Sequence, residues 1–262
     1  MKTIVVVLCV MLAAMTVACD RDGGSAPAAP AAAPAAAEGG DGGKGAPVAT
    51  ASSADALAHA SPAPPASRLA RVVFLGDSLT AGYGLEADQA FPALVGRMLQ
   101  DEGLQAEIVN AGVSGDTTAG GLRRLDWQLR QKPDVVVVGL GGNDGLRGLE
   151  LRASEENLRA IIRKSRDAGA AVVLLGMLIP PNYGPDYAGQ FRELYPRLAR
   201  ELDVPLVPFL LEGVGGDPRL NLPDGIHPTA DGHRIVARNV LPQLRDALRQ
   251  GRAAPATTRA TR

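Results

Sequence analysis

Cysteine is almost missing from this sequence, because its two copies, Cys9 and Cys19, both lie near the amino terminus. A disulfide-stapled domain, a cysteine nucleophile and a thiolate metal site are therefore excluded for the rest of the chain. Aromatic residues make up only 3% of the chain, and 27 basic residues balance 28 acidic ones at a net charge of −1. Nucleic-acid binding needs a basic face or stacking aromatics, so no nucleic-acid partner is expected.

The amino terminus has the pattern of an export signal. Lys2 precedes an apolar run over residues 4–18, which is shorter than the roughly 20 residues of a membrane-spanning helix. The run ends in Thr16-Val17-Ala18-Cys19, which resembles a bacterial lipobox with threonine where the pattern prefers leucine. We predict a signal peptide over residues 1–19 and an exported protein, either periplasmic or anchored to a membrane by lipid on Cys19. The alternative is a plain signal peptide that releases a free protein.

Composition divides the remaining chain into three parts. Residues 20–68 consist almost entirely of alanine, proline, glycine and serine. Such a segment offers too little apolar surface to offset its ordering entropy, so we predict a disordered linker. Residues 69–250 carry the periodic apolar pattern of a folded domain, and residues 251–262 are expected to form a disordered tail.

Strand-length apolar runs alternate with helix-period segments through this domain. Strands are predicted at residues 71–75, 106–110, 134–140, 171–175 and 204–207, and helices at residues 91–102, 117–131, 154–168, 186–202 and 230–249. Four consecutive valines in the third strand indicate burial on both faces. The alternation predicts an α/β fold in which helices cover both faces of a parallel sheet.

Chemically active side chains follow the carboxyl ends of these strands, where parallel sheets place their sites. Ser78 follows the first strand and offers a hydroxyl nucleophile, while His227 offers an imidazole base with a reference pKa of about 6.5. Asp224 lies three residues before the histidine and can fix its tautomer. The N–H groups of Ser78 and Gly112 and the amide of Asn143 can stabilise an oxyanion. Acyl transfer needs each of these groups.

Several motifs around these residues resemble a known family. They are G-D-S-L-T-A-G-Y-G-L at residues 76–85, S-G-D-T at 114–117, L-G-G-N-D-G-L-R-G at 140–148, P-N-Y-G at 181–184 and D-V-P-L-V-P-F at 203–209. Together with D-G-I-H-P at 224–228 they resemble the SGNH (GDSL) hydrolases, in particular the branch of arylesterases, acyl-CoA thioesterase I and lysophospholipase L1. The resemblance covers about residues 70–248, in order.

The resemblance implies a three-layer α/β/α, flavodoxin-like sandwich with a five-stranded parallel sheet in the order 2-1-3-4-5. It implies a serine ester hydrolase that cleaves carboxylic esters or thioesters of small molecules or lipids through an acyl-Ser78 intermediate. No metal or organic cofactor is expected. Gly145, Leu146, Leu149 and Tyr183 would border the substrate groove, and leucine at 149 replaces the larger aromatic expected there. The alternatives are a carbohydrate O-acetylesterase and a non-catalytic lipid- or glycan-binding module on the same scaffold.

Other polar residues have simpler interpretations. We expect Asp77 and Asp144 to bond nearby backbone N–H groups and hold their turns. His233 is expected to be a partly exposed residue of the final helix. Arg123, Arg124, Arg147 and Arg152 are candidates for attracting anionic groups, although a solvated helix face explains the first two equally well.

Overall fold

The computed structural model describes residues 68–253. The strands are β1 (Ala70–Gly76), β2 (Ala106–Gly112), β3 (Val135–Gly139), β4 (Ala171–Leu175) and β5 (Leu206–Val207). The helices are α1 (Ser78–Ala81), α2 (Phe91–Asp101), α3 (Thr118–Leu129), α4 (Gly142–Leu146), α5 (Leu151–Asp167), α6 (Pro185–Leu202) and α7 (Ala230–Ala253). Two 3-10 turns lie at Ala87–Gln89 and Pro181–Tyr183. Within the described residues, no helix combines the length and apolarity needed to cross a membrane.

The five strands form one parallel sheet in the order β2-β1-β3-β4-β5, which confirms the predicted topology. Gly76 at the end of β1 is in register with Gly112 of β2 and Gly139 of β3. The carboxyl ends of the central strands therefore meet at one edge of the sheet, and the loops that follow them are neighbours.

Two apolar cores sandwich the sheet because side chains alternate between its faces. Val135 and Val137 of β3 pack into the core shared with α2 and α7, whereas Val136 and Val138 face the core shared with α3, α5 and α6. Every residue of β3 is buried, as the valine run predicted. The structure is thus the expected α/β/α sandwich.

The predicted elements differ from the observed ones mainly at their ends. The strand at residues 171–175 is confirmed without change, while the fifth strand is shorter than predicted and spans Leu206–Val207. Helix α7 continues to Ala253, which is three residues into the segment expected to be a tail. The short helices α1 and α4 were not predicted, since neither is long enough to show a 3.6-residue period. The predicted signal peptide and linker lie outside the described residues.

Candidate active site

Strand β1 delivers Ser78 to the carboxyl edge of the sheet. Asp77 caps the following helix, because its Oδ1 accepts the N–H of Leu79 at 3.0 Å, and Ser78 is the first residue of α1. A Cβ at Gly76 would lie 1.9 Å from Oγ1 of Thr80, so only glycine lets α1 fold back this tightly on its strand. The serine hydroxyl is held by a rigid turn at a helix start.

His227 connects Ser78 to Asp224 through two hydrogen bonds. Its Nε2 lies 2.8 Å from Oγ of Ser78 and its Nδ1 lies 2.7 Å from Oδ2 of Asp224. The other carboxylate oxygen of Asp224 accepts the backbone N–H groups of His227 at 3.0 Å and Ile226 at 2.9 Å. The backbone and side-chain hydrogen bonds from His227 lower the pKa of Asp224 to about 2. An ionised Asp224 only accepts, so the proton sits on Nδ1 and the lone pair of Nε2 faces the serine.

The ring of Tyr83 covers one side of the histidine. The two ring centroids are 4.5 Å apart with the planes tilted by 36°, and Tyr83 itself is 52% exposed. The contact restricts rotation of the imidazole from the side that its hydrogen bonds do not reach. Sequence reasoning missed this residue, although it lies within the motif that carries Ser78.

Asn143 enters the site from the first turn of α4. Its Nδ2 donates to the backbone oxygen of Asp116 at 3.0 Å and lies 3.4 Å from Oδ2 of Asp77. The helix begins after Gly141, which has a φ of 111° and where a Cβ would lie 2.3 Å from the hydroxyl of Tyr195. Glycine is therefore required just before the turn that presents the amide.

The N–H of Gly112, an expected oxyanion donor, is already engaged by a neighbouring side chain. Its N–H donates to Oδ1 of Asn110 at 3.0 Å, and a Cβ at Gly112 would lie 2.2 Å from the backbone nitrogen of Ala81. Gly115 lies three residues further along, has a φ of 77° and lines the cavity beside Ser78. Among the described residues its N–H has no hydrogen-bond partner. The loop after β2 thus reaches the cavity at Gly115, whereas Gly112 is the last residue of the strand.

A cavity of about 680 Å³ opens at Ser78. Apolar side chains supply most of its wall, namely Leu146, Met177, Leu178, Ile179, Phe209, Leu211 and Ile226. Of the predicted groove residues, Leu146 lines this cavity. Gly145 packs behind it against Ile179, and Tyr183 donates its hydroxyl to the Leu146 carbonyl at 2.9 Å. Leu149 is 41% exposed and lies outside the lining of this cavity.

Two buried carboxyl groups, Asp77 and Asp144, are the sequence neighbours of Ser78 and Asn143. Burial raises the pKa of Asp77 to about 6, although the N–H of Leu79 and the charge of His227 oppose the shift. Asp144 accepts the backbone N–H of Thr118 at 2.9 Å and the hydroxyl of Ser154 at 3.0 Å. Asp77 holds its own turn as expected. Asp144 instead joins α4 to the starts of α3 and α5.

The expectation for His233 was wrong. Its side chain is 1% exposed, and its Nδ1 accepts the N–H of Phe91 at 3.1 Å, which caps the start of α2. Burial lowers the pKa of this imidazole to about 4, so it is neutral at pH 7. Its hydrogen-bond partner, Phe91, is 142 residues away, so no local sequence pattern reveals that His233 is buried.

The four arginines separate into exposed and inward-pointing residues. Arg123 is exposed, and Arg152 pairs with Glu156 on the surface of α5. Arg147 donates to the carbonyl of Gly115 at 2.9 Å. Arg124 points inward and does not lie on a solvated helix face, because its guanidinium bonds Asp116 and two strand-end carbonyls.

The chain is similar in sequence and in fold to known proteins. Residues 74–235 match the sequence model of the GDSL-like Lipase/Acylhydrolase family. The chain is 45% identical over 178 residues to Esterase TesA of Pseudomonas aeruginosa, covering 68% of this chain and 89% of that protein. It is 43% identical over 174 residues to Thioesterase 1/protease 1/lysophospholipase L1 of Escherichia coli, covering 66% and 82%. A crystal structure of TesA, 44% identical, superposes with a TM-score of 0.66 over 68% of this chain and 99% of the other.

Proposed function

This chain belongs to the GDSL-like lipase/acylhydrolase family and is an ester hydrolase. We propose that it cleaves carboxylic esters and thioesters through an acyl-Ser78 intermediate. One observation carries the proposal, which is the continuous hydrogen-bonded chain from Ser78 through His227 to an ionised Asp224. A hydroxyl becomes a competent nucleophile when a positioned base takes its proton and a third group orients that base.

The reaction proceeds in two halves. His227 takes the Ser78 proton at Nε2 as Oγ attacks the substrate carbonyl carbon, and the same proton then passes to the leaving oxygen or sulfur. In the second half His227 deprotonates a water molecule, whose oxygen attacks the acyl carbon. The bond to Oγ then breaks, and His227 returns the proton to Ser78 as the acid is released. Asp224 remains ionised throughout and stabilises the imidazolium that forms in both halves.

The negative charge that develops on the carbonyl oxygen needs donors aimed at it. We assign the backbone N–H of Ser78, the backbone N–H of Gly115 and Nδ2 of Asn143. Gly115 takes the place expected for Gly112, because the N–H of Gly112 is engaged by Asn110 while Gly115 lines the cavity with a free N–H among the described residues.

The apolar wall of the cavity favours hydrophobic acyl groups over sugars. Leucine, isoleucine, methionine and phenylalanine side chains surround the space next to Ser78, and burying a methylene group there contributes roughly 0.8 kcal/mol. Lipid esters and small aryl or alkyl esters are therefore the proposed substrates. The names of two relatives, a thioesterase/lysophospholipase and an esterase, agree with this class.

Hydrolysis of p-nitrophenyl esters from acetate to palmitate tests the proposal directly. The wild-type chain is compared with Ser78→Ala and with Ser165→Ala, a matched control whose buried hydroxyl bonds the Ile161 carbonyl in α5. We expect turnover by the wild type and the control and none by Ser78→Ala, with a chain-length optimum that reports the length of the groove. Folded protein that hydrolyses none of these esters, or an active Ser78→Ala, would disprove the mechanism.

We also propose that the enzyme is exported and held at a membrane by lipid on Cys19. The support is the amino-terminal sequence, in which an apolar run ends in Thr16-Val17-Ala18-Cys19. Incorporation of labelled fatty acid by the wild-type chain and its loss in Cys19→Ala would support the anchor. Equal extraction of both proteins in the soluble fraction would rule it out.

A further inference from the structure

The guanidinium of Arg124 ties together three segments behind the cavity without lining it. Nε donates to Oδ2 of Asp116 at 2.7 Å, Nη1 to the Ala111 carbonyl at 2.6 Å and Nη2 to the Gly76 carbonyl at 2.8 Å. The arginine side chain is 22% exposed and that of Asp116 is 10% exposed. A planar guanidinium with every nitrogen bonded has little freedom to rotate.

Two of these bonds hold the strand ends that carry backbone donors. Gly76 ends β1 two residues before Ser78, and Ala111 is the penultimate residue of β2, before the loop that carries Gly115. Both carbonyls accept from the same guanidinium, so Arg124 bridges the two strand ends from which these loops start. The N–H groups of Ser78 and Gly115 lie on those loops.

The bond from Arg124 to Asp116 affects the third proposed donor, the side-chain amide of Asn143. The carboxylate of Asp116 is held by Arg124 and by the N–H of Thr117 at 3.1 Å, while its backbone oxygen accepts Nδ2 of Asn143 at 3.0 Å. A Cβ at Gly120 would lie 1.7 Å from Oδ1 of Asp116, so glycine makes room for the carboxylate in this position. The orientation of the Asn143 amide therefore depends on a residue that Arg124 holds.

We propose that Arg124 is a positioning residue for the oxyanion site, which fixes the relative placement of the three proposed donors. The proposal rests on the proposed function, since it concerns the same reaction. Lysine cannot replace the arginine, because one ammonium nitrogen cannot reach three acceptors arranged around a planar fork. Ground-state substrate binding depends instead on the apolar wall of the cavity, to which Arg124 does not contribute.

The first test compares Arg124→Lys with Arg71→Lys in the full chain. Arg71 is a matched control, because it bonds Glu107 at 2.9 Å and the Gln131 carbonyl at 2.6 Å from the opposite end of β1. We expect kcat of Arg124→Lys for p-nitrophenyl butyrate to fall at least about tenfold, a fraction of the hundredfold that a 1 Å misplacement costs. KM should change less than about twofold, because uniform binding is unaffected. Arg71→Lys should lower the melting temperature without lowering kcat.

A trifluoromethyl ketone supplies a second readout. The Ser78 oxygen adds to its carbonyl carbon, the serine proton passes to His227, and the carbonyl oxygen becomes an alkoxide in the oxyanion site. Its affinity should fall in parallel with kcat in Arg124→Lys and remain unchanged in Arg71→Lys. If Arg124→Lys does not fold, Asp116→Asn replaces it. This variant retains the backbone carbonyl that accepts from Asn143 but loses the ion pair with Arg124.

A double-mutant cycle with Asn143→Ala identifies the route of the effect. In the Asn143→Ala background, the loss caused by Arg124→Lys should be clearly smaller than in the wild type, because one positioned donor is already absent. A full multiplicative loss would overturn the link through Asn143, and a lower melting temperature with unchanged kcat and inhibitor affinity would show a structural role only. Ser78→Ala is measured in parallel, because activity of that variant would refute the proposed function itself and not only the role of Arg124.

Discussion

Replacing Asn143 with alanine removes one proposed oxyanion donor and leaves the nucleophile and base intact. One hydrogen of its Nδ2 is held by the Asp116 carbonyl at 3.0 Å, while the other faces Asp77 at 3.4 Å, a long and weak contact. That second hydrogen is the one left to donate to the oxyanion as charge develops. Losing one such donor costs about 2.7–4 kcal/mol in the transition state, which is roughly 100- to 1000-fold in kcat.

The expected effect on folding is much smaller. The truncation removes one hydrogen bond from a half-buried side chain, which contributes about 1 kcal/mol to the free energy of unfolding. For a domain of this size, that change lowers the melting temperature by roughly 2–4 °C. Loss of activity and loss of stability should therefore separate clearly when kcat is measured on p-nitrophenyl butyrate and melting is followed by circular dichroism.

Asn157→Ala is the matched control for this experiment. Its amide is also half-buried and donates to Oγ1 of Thr118 at 3.1 Å, but it lies on α5 outside the cavity lining. We expect the control to keep kcat within about twofold, as surface-proximal changes away from a site do. Full activity of folded Asn143→Ala, or an equal loss in Asn157→Ala, would refute the oxyanion role.

Three further predictions concern titrating groups. The folded state keeps His233 neutral, with a pKa of about 4 instead of 6.5. The contribution of His233 to the free energy of unfolding is therefore complete above pH 6.5 and falls by about 3 kcal/mol as the pH drops to 4. His233→Asn should abolish this loss, as measured by urea unfolding. Asp77 acts in the opposite direction, since its pKa rises from 3.8 to about 6 and the folded state loses about 3 kcal/mol as the pH rises through that window. Asp77→Asn should therefore make stability increase more steeply with pH, and parallel curves for wild type and variant would contradict the shift. Asp224→Asn should lower kcat by at least about a hundredfold, because an amide nitrogen facing Nδ1 of His227 disfavours the tautomer that accepts the serine proton. An unchanged pH–rate profile in this variant would argue against the role of Asp224.

Most of the fold was predictable because its strands and longer helices each have a local signal. The valines of β3 alternate between two cores, and the strand at residues 171–175 begins and ends where its apolar run does. Helix α1 was not predicted, because a four-residue helix shows no periodicity and depends on the side chain of Asp77 for its cap. The extension of α7 to Ala253 was also not predicted, because the polar composition of the last residues gives no helical signal.

The candidate site divides in the same way. Ser78, Asp224, His227 and Asn143 could be named from the sequence, because their motifs sit where parallel strands end and acyl transfer requires those residue types. The choice between Gly112 and Gly115 could not be made from the sequence, since both are loop glycines after the same strand. The contact of Ala81 with one and the cavity beside the other separate them.

The sequence by itself therefore determined the order of the strands and longer helices, the edge of the sheet where the candidate site lies and the residue types of that site. Only the tertiary structure decided which of the two glycines lines the cavity beside Ser78, that Arg124 points inward to a carbonyl 48 residues away, and that His233 caps a helix 142 residues away. The physical reason is that periodicity and motif chemistry act over a few neighbouring residues, whereas a hydrogen-bond partner is chosen by which segments the packed sheet brings together.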